Sequence, residues 1–263
     1  MSKKNTAPAL VGATISEYDG VRYLHLGTEW VQGAMRIRKP RQLELEYAQR
    51  MMAWMLWRPT AALTEGHAVQ LGLGASAITR YAHQVLRMRT TAVEINPTVI
   101  DACRLWFHLP RDDERLRVLQ DDAARWIADP ANLQSVDVLC VDLYDHEAAA
   151  PVLDDEAFYA ACHGALAAGG LMTVNLFGRK SSFERSSARI AAAFGPTQVW
   201  QLAPTKEGNI VVVAAREVEV PDRDTLQARA EAIEARFELP ATKWLRLVRP
   251  WRPAAAAAAD ASR

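Results

Sequence analysis

The sequence predicts an α/β chain: a doubly wound, mostly parallel sheet of seven strands whose last pair is a hairpin, preceded by a small antiparallel β module. Three observations predict it. From residue 68 to 215, strand-length apolar runs alternate with helical segments, and such alternation with strongly apolar strands implies a parallel sheet covered on both faces. Residues 11 to 37 instead alternate apolar and polar positions around turn signals, the pattern of a half-exposed meander. Finally, a chain of 263 residues, half of them apolar and only three of them cysteine, can bury one sizeable core without disulfide or metal support.

The elements follow in order. Val11 to Tyr18 alternates, Asp19-Gly20 is a hairpin-turn dipeptide, and Val21 to Leu26 and Trp30 to Met35 supply two further strands. From Leu43 to Trp57 the spacing becomes helical, with Leu45, Met52 and Leu56 on one face, Trp54 and Met55 widening it, and Pro59 ending it. Strands of the main sheet are expected at 68–73, 90–95, 116–119, 136–143, 170–176, 197–202 and 210–214. Helices are expected to start near Ser76, Pro97, Asp122 and Asp154, Pro97 suiting a first helical position. Past Val218 the chain reads as helical to Phe237. The expected organisation is a disordered stretch at 1–10, a β meander with linking helix at 11–58, an α/β domain at 59–240, and a C-terminal extension at 241–263. The alanine run after Pro253 has nothing to pack with, so that extension is expected to be partly disordered.

Charge and composition exclude several classes. With 31 basic against 31 acidic side chains, the chain lacks the cationic excess that nucleic-acid binding draws on. No apolar stretch approaches the roughly 20 residues of a membrane-spanning helix. Met1-Ser2-Lys3-Lys4-Asn5 has cations but no apolar segment behind them, so no secretory signal is expected and a cytoplasmic location is. Cys103, Cys140 and Cys162 are odd in number and sit in apolar runs, as buried free thiols do. The histidines show no metal-ligand spacing, and no metal site is expected. Trp54, Trp57, Trp106, Trp126 and Trp200 read as core or interface residues. The run Arg36, Arg38, Lys39, Arg41 reads as a solvated loop.

Ligands of doubly wound sheets lie beyond the carboxyl ends of the strands, which directs attention to the residues just after each one. The first strand is followed by Leu71-Gly72-Leu73-Gly74-Ala75-Ser76-Ala77, whose glycines let the backbone approach a ligand. The second ends on Glu94, about twenty residues past the glycine turn, where a carboxylate can accept from both ribose hydroxyls. The third leads into Gln120-Asp121-Asp122-Ala123, and the fourth into Asp142-Leu143-Tyr144-Asp145. Singly, each has an ordinary reading: a tight turn for the glycines, a helix cap for Glu94 or Asp122. Together, in this order, they point to an adenosine-type ligand. A dinucleotide fits loosely, Ala77 standing in for the third small residue of its fingerprint. An acidic wall better suits a cationic ligand without phosphates, a sulfonium nucleoside.

With those residues in view, the chain resembles the spermidine synthase (polyamine aminopropyltransferase) family, in particular its compact bacterial members. The resemblance runs from about Trp30 to Ala215. It rests on Trp30-Val31-Gln32-Gly33-Ala34-Met35, Leu45-Glu46-Tyr47, the glycine turn, Val93-Glu94-Ile95-Asn96-Pro97, Trp106-Phe107-His108-Leu109-Pro110, Gln120-Asp121-Asp122, Asp142 to Asp145, Phe158-Tyr159, Gly169-Gly170 and Gly208-Asn209. It implies a Rossmann-like, seven-stranded fold of the class I S-adenosylmethionine methyltransferase type with an N-terminal β module. It also implies an aminopropyltransferase that uses decarboxylated S-adenosylmethionine as co-substrate and a putrescine-like amine as acceptor, releasing methylthioadenosine without a metal, and working as a homodimer or higher oligomer.

Carried over position by position, the resemblance assigns Gln32, Gly72, Gly74 and Glu94 to the nucleoside, Glu94 through its ribose, and Asp122 with Ala123 to the adenine. Asp142 is the expected carboxylate that orients and deprotonates the attacking amine, with Asp145 as its companion. Tyr47, Gln49 and Tyr144 are expected at the amine. Two departures stand out. Relatives usually carry Asp in the glycine loop, where this chain has Ala75, and place Pro and small residues between the paired aspartates, where it has Leu143 and Tyr144 with His146 following. They keep two alternatives open: a methyltransferase using intact S-adenosylmethionine, and a nucleoside-binding homologue without catalysis.

Overall fold

The computed structural model describes residues 10–144, 152–177 and 180–253. The expected disorder at 1–10 and after Pro253 falls, but for Leu10, outside them. Asp19 and Gly20 take φ values of 49° and 71° and turn β1 (Ala13–Tyr18) straight back into β2 (Val21–Leu26). Positive φ at both loop residues is what a two-residue hairpin with the right strand twist requires. β2 then pairs antiparallel with β3 (Val31–Arg36), completing the three-stranded module. In that last pairing Leu24 faces Gly33 but His25 faces Val31, so Gln32 is the extra residue of a β-bulge.

The expected helix after the module is present in two parts. α1 (Glu46–Arg50) tightens into a 3₁₀ segment, Met51–Trp57, in which every residue is buried. Seven consecutive residues of Met, Ala, Trp and Leu are apolar all round and need cover on all sides. They find it between the main sheet, where Thr173 donates to the Met51 carbonyl at 3.0 Å, and a C-terminal helix whose Arg229 donates to the Leu56 carbonyl at 3.0 Å.

All seven expected strands form: β4 (His67–Leu71), β5 (Arg89–Glu94), β6 (Leu116–Gln120), β7 (Val136–Val141), β8 (Leu166–Leu176), β9 (Val199–Leu202) and β10 (Ile210–Ala215). β4 to β8 are mutually parallel where they touch, while β10 pairs antiparallel with both β8 and β9. The helices between them are α2 (Ala77–Arg80), which runs on into a π turn, α3 (Pro97–Trp106), α4 (Ala123–Ala128), α5 (Glu156–Ala165) and α6 (Lys180–Phe194). Pro97 does open α3, and Asn96 caps it by accepting from the Thr98 amide at 3.0 Å.

The C-terminal segment packs onto the sheet. After α7 (Arg223–Phe237), helix α8 (Ala241–Leu247) buries Trp244 to 1 % exposure, and β11 (Val248–Pro250) joins β9 as an eighth, edge strand. Ala241 and Trp244 join the core around the 3₁₀ segment and α7, and Leu245 and Val248 pack against it. The sheet order is β11-β9-β10-β8-β7-β4-β5-β6. The chain runs outward from β4 to β6 and then crosses to β7 on the other side, which makes the β4/β7 boundary the switch point.

The core has three parts. One joins the 3₁₀ segment, α7 and α8 to one sheet face, a second joins α4, α5 and α6 to the other, and a third seats the N-terminal module on α3 and the glycine turn through Leu24, Met35, Leu73, Ala75 and Phe107. Polar ties fix this third seat: Asn96 donates to the Val11 carbonyl at 2.8 Å, and Thr98 Oγ1 accepts from the Ala13 amide at 3.0 Å.

Candidate active site

The strand ends at the switch point are stitched together at one level. The Gly72 amide donates to the Val93 carbonyl at 2.9 Å, Asp142 to Leu71 at 2.9 Å, and Asp121 to Glu94 at 3.1 Å. This continuation of the ladder brings the glycine turn, Glu94, Asp122 and Asp142 to a common rim, although they span seventy residues of chain. Gly72 takes φ 83°, and a Cβ there would meet the Asp142 carbonyl oxygen at 2.1 Å, so no other residue fits.

The N-terminal module closes the rim from above. At Gly74 a Cβ would lie 2.9 Å from the Gln32 carbonyl, and at Gly33 one would lie 2.6 Å from the Ala75 Cβ, so the bulged strand rests directly on the glycine turn. Bulges re-aim side chains near sites; here the bulge places Gln32 on the boundary between two cavities. The smaller, about 220 Å³, is lined among others by Gly72, Gly74, Glu94, Asp122 and Ala123. The larger, about 650 Å³, is lined by Trp30, Tyr47, Asn175, Phe177 and a set of charged residues. Gln32, Asp142 and Tyr144 line both, so these three residues stand where the contents of the two cavities would meet.

Two half-buried carboxylates stand at the rim. Glu94 accepts from the Leu73 and Asn96 amides, each at 2.8 Å, and burial pushes its carboxyl above the ordinary range against the pull of those bonds. It thereby also fixes the glycine turn. Burial raises Asp142 too, opposed by the Asn175 amide, 2.9 Å from Oδ1, and by the Tyr47 hydroxyl. Burial and the Asp142 charge together push the Tyr47 phenol well above its usual value, which keeps it a donor. Asn175 is held in turn by Asn209, whose Nδ2 donates to its side-chain oxygen at 3.1 Å. The Tyr144 hydroxyl is fully engaged, donating to the Asn175 carbonyl at 2.8 Å and accepting from the Phe177 amide at 2.5 Å.

Of the residues picked out in the sequence, Gln32, Tyr47, Gly72, Gly74, Glu94, Asp122, Ala123, Asp142 and Tyr144 line one or both cavities. Asp122 does so while also capping α4 through the Ala124 amide at 2.8 Å, so both of its readings hold in the geometry. Gln49 does not: its amide donates to the Leu43 carbonyl at 2.8 Å, and Glu46, one turn back, takes the wall position instead. A helix of 3.6 residues per turn puts 46 and 49 on neighbouring but distinct positions, and the chain ahead of α1 draws Gln49 to its own backbone. Asp145 and His146 lie outside the described residues. Asn175, Phe177, Asn209 and Lys243 also line the larger cavity, and sequence reasoning gave them no role. Asn175 had a signal, a polar residue ending an apolar strand; Lys243 had none.

The described residues hold no group of three or more metal-ligating side chains, and none of their helices is long and apolar enough to cross a membrane. What the arrangement offers is a cleft at the carboxyl ends of a doubly wound sheet that meets a second, larger cavity at Asp142. The chain belongs to the spermine/spermidine synthase family, whose domain model matches residues 77–211. It is 33 % identical over 227 residues to the polyamine aminopropyltransferase of Neisseria meningitidis, covering 86 % of this chain and 84 % of that one. Its fold matches a probable spermidine synthase from Corynebacterium glutamicum with a TM-score of 0.70 at 21 % identity, over 88 % and 89 % of the two chains. It also matches human methyltransferase-like protein 13 in complex with SAH, with a TM-score of 0.64 at 22 % identity, over 80 % and 96 %.

Proposed function

We propose that this protein is an aminopropyltransferase, moving the aminopropyl group of decarboxylated S-adenosylmethionine to an amine and releasing methylthioadenosine. The observation that carries the reading is Asp142, a half-buried carboxylate at the junction of two cavities, one lined by the proposed nucleoside positions and the other open to an amine. In the proposed division of labour, Glu94 takes the ribose, Asp122 and Ala123 the adenine, and Gln32 the boundary between donor and acceptor. The N-terminal module would thus supply Gln32, and the helix α1 that follows it Tyr47, to a site otherwise built by the α/β unit.

An alkyl amine is protonated at neutral pH, and only its neutral form has a lone pair to attack with. Asp142 attracts the ammonium, accepts its proton directly or through water, and holds the nitrogen in line with the carbon to be attacked. The N–C bond forms as the C–S bond breaks, and sulfur leaves as a neutral thioether. Because a sulfonium is already an excellent leaving group, the proposed step calls on no metal. The further parts of the proposal are a homodimer or higher oligomer, supported by family membership, and a cytoplasmic setting, supported by three buried free thiols that suit a reducing compartment. A small amine rather than a nucleic acid is the expected partner, supported by the even charge balance.

A second reading has one specific observation behind it. Where relatives carry Asp in the glycine turn this chain has Ala75, 2 % exposed and walled in by Gly33, so no carboxylate from the turn reaches a donor's ammonium. That leaves methyl transfer from intact S-adenosylmethionine open. Mass spectrometry of nucleoside products after incubation with either donor and an amine panel separates them. Methylthioadenosine dependent on both decarboxylated donor and amine is the expected outcome; S-adenosylhomocysteine would establish the methyltransferase, and neither product would leave a binding protein.

A further inference from the structure

The side chains behind Asp142 bear on how its carboxylate is held, an inference that rests on the aminopropyl-transfer reading. The antiparallel register sets Val211 of β10 opposite Asn175 of β8. Asn209 lies two positions before Val211, so its side chain leaves the sheet on the same face and reaches Asn175 diagonally. The bonds then run in line. Asn175 Nδ2 donates to Asp142 Oδ1 at 2.9 Å, Asn209 Nδ2 donates to the Asn175 side-chain oxygen at 3.1 Å, and the Thr205 hydroxyl donates to the Asn209 side-chain oxygen at 3.5 Å. The backbone between β9 and β10 fixes the far end: the Thr205 amide donates to the Asn209 carbonyl at 2.8 Å, and the Asn209 amide donates to Thr205 Oγ1 at 3.1 Å. Asn175 and Thr205 are both buried.

This chain of amides has a sense. A carboxylate ion only accepts, so Asn175 turns its NH₂ end to Asp142 and its oxygen away, and Asn209 does the same one step further out. Each amide thus presents the positive end of its dipole toward Asp142 and favours the ionised form, the one that can take a proton from an ammonium. The alternatives show why an amide suits position 175. A cation there would pair with Asp142 and compete with the amine, an acid would share its proton, and an apolar side chain would leave the carboxylate without this donor. Asn175 is immobilised through its backbone as well, its carbonyl accepting from the Tyr144 hydroxyl at 2.8 Å. The titratable groups that face Asp142 are Tyr47 from α1, Tyr144 beyond β7 and Cys140 within it. Burial and the Asp142 charge push each of them up, so they stay neutral. The charged residues that share the larger cavity, Glu29, Glu44, Glu46, Lys206, Glu207 and Lys243, are the same in every variant below, so their field on Asp142 cancels in the comparison.

From this geometry we propose that Asn175 and Asn209 are positioning residues: a two-amide relay, anchored on Thr205, that holds the Asp142 carboxylate in one orientation with Oδ1 engaged and its remaining lone pairs turned to the incoming amine. Neither residue takes part in the covalent step; both act through Asp142. The relay also ties that carboxylate to the loop between β9 and β10, whose Lys206 and Glu207 form part of the cavity wall.

The test compares Asn175→Leu, Asn209→Leu and the double variant with the parent. Each is loaded with methylthioadenosine for a carbon NMR titration of the Asp142 carboxyl, assigned by its loss in Asp142→Asn, and each is assayed for methylthioadenosine release with an amine panel. Losing a donor to the ionised form raises the pH at which Asp142 titrates, by about one pH unit in Asn175→Leu and by less in Asn209→Leu. With the carboxylate no longer aligned, kcat should fall by about tenfold to a hundredfold in Asn175→Leu and by less in Asn209→Leu. Affinity for methylthioadenosine should be unchanged in both, because neither residue lines the smaller cavity. In the double variant the second change should add nothing, since the relay is already broken at Asn175. Asn209 is half-buried, so if Asn175→Leu does not fold, the titration of Asn209→Leu decides alone. A titration unmoved in the single variants, effects that add in the double, or a raised acceptor KM with kcat unchanged would overturn the relay. Its failure is separable from that of the transfer reading: absence of release from the parent with any amine sinks the latter, while the titrations, which need no turnover, still decide the relay.

Discussion

Asp142 sits where its charge is costly to the fold and useful to the reaction. Its carboxyl is raised by burial, so the folded protein holds a proton there more tightly than the unfolded chain does. The sign follows: the stability contributed by the protonated form is present at low pH and is lost as pH rises through the folded pKa, because the buried ionised form is disfavoured. Asp142→Asn removes that charge and keeps an oxygen for Tyr47 and Asn175. We expect it to cut turnover by roughly 10²–10⁴-fold, the span typical of a lost general base, while melting at a higher temperature than the parent at neutral pH. The gain should shrink as pH falls through the raised pKa of the folded protein and be gone below the ordinary carboxylate range. Melting curves across pH beside a methylthioadenosine assay check both halves; a loss of stability at neutral pH would mean that the hydrogen bonds, not the desolvation, dominate. Gly72 is the second residue whose identity is set by geometry. Gly72→Ala places a Cβ 2.1 Å from a backbone oxygen at φ 83°, so we expect the turn to shift and nucleoside affinity to fall at least tenfold in a calorimetric titration.

Among the elements, the bulge in β3 and the glycine turn behave as one unit. Gly33 closes over Ala75 and the Gln32 carbonyl crowds Gly74, so neither strand nor turn can change alone. Restoring the family's acid by Ala75→Asp therefore should not restore a donor subsite. The new carboxylate would be buried and crowded against Gly33, a class of change that destabilises. We expect a melting temperature lower by several degrees and weaker donor binding; tighter binding of the decarboxylated donor would show that β3 yields. The same unit shows what a sequence can and cannot disclose. Gly72, Glu94, Asp122 and Asp142 were legible because each ends its own strand or follows it within two residues, and strand ends converge in this topology whatever the side chains do. The bulge was not legible, since an extra residue in a short polar strand leaves no period to break. Helix α6 carries a signal that went unused, Phe183, Ile190, Ala191 and Phe194 at helical spacing on its packed side. The eighth strand β11, three residues long and ending in proline, has no strand-like pattern at all.

At the scale of the whole molecule, the last described residues connect core and site. α8 turns one face inward with Trp244 and Ala241, which join the cluster that also holds the 3₁₀ segment and α7, and turns Lys243 outward to the larger cavity. Glu46 of α1 meets that lysine from the other end of the chain, and Arg50, which donates to Glu46, also donates to the Ala203 carbonyl just past β9. The wall of the cavity is thus assembled from segments nearly two hundred residues apart, which is why its charge balance cannot be read along the sequence. It also means that the C-terminal segment should be needed for both stability and acceptor binding. Trp244→Ala removes a side chain that is 1 % exposed, and we expect a cost of about 3–5 kcal/mol by urea unfolding. If α8 positions the wall, the variant that remains folded should show weaker acceptor binding with donor affinity little changed, because the smaller cavity has no residue from α8. Equal losses at both ligands would place the effect in the sheet as a whole, and an unfolding cost below about 1 kcal/mol would mean that α8 docks too loosely to hold Lys243 in place.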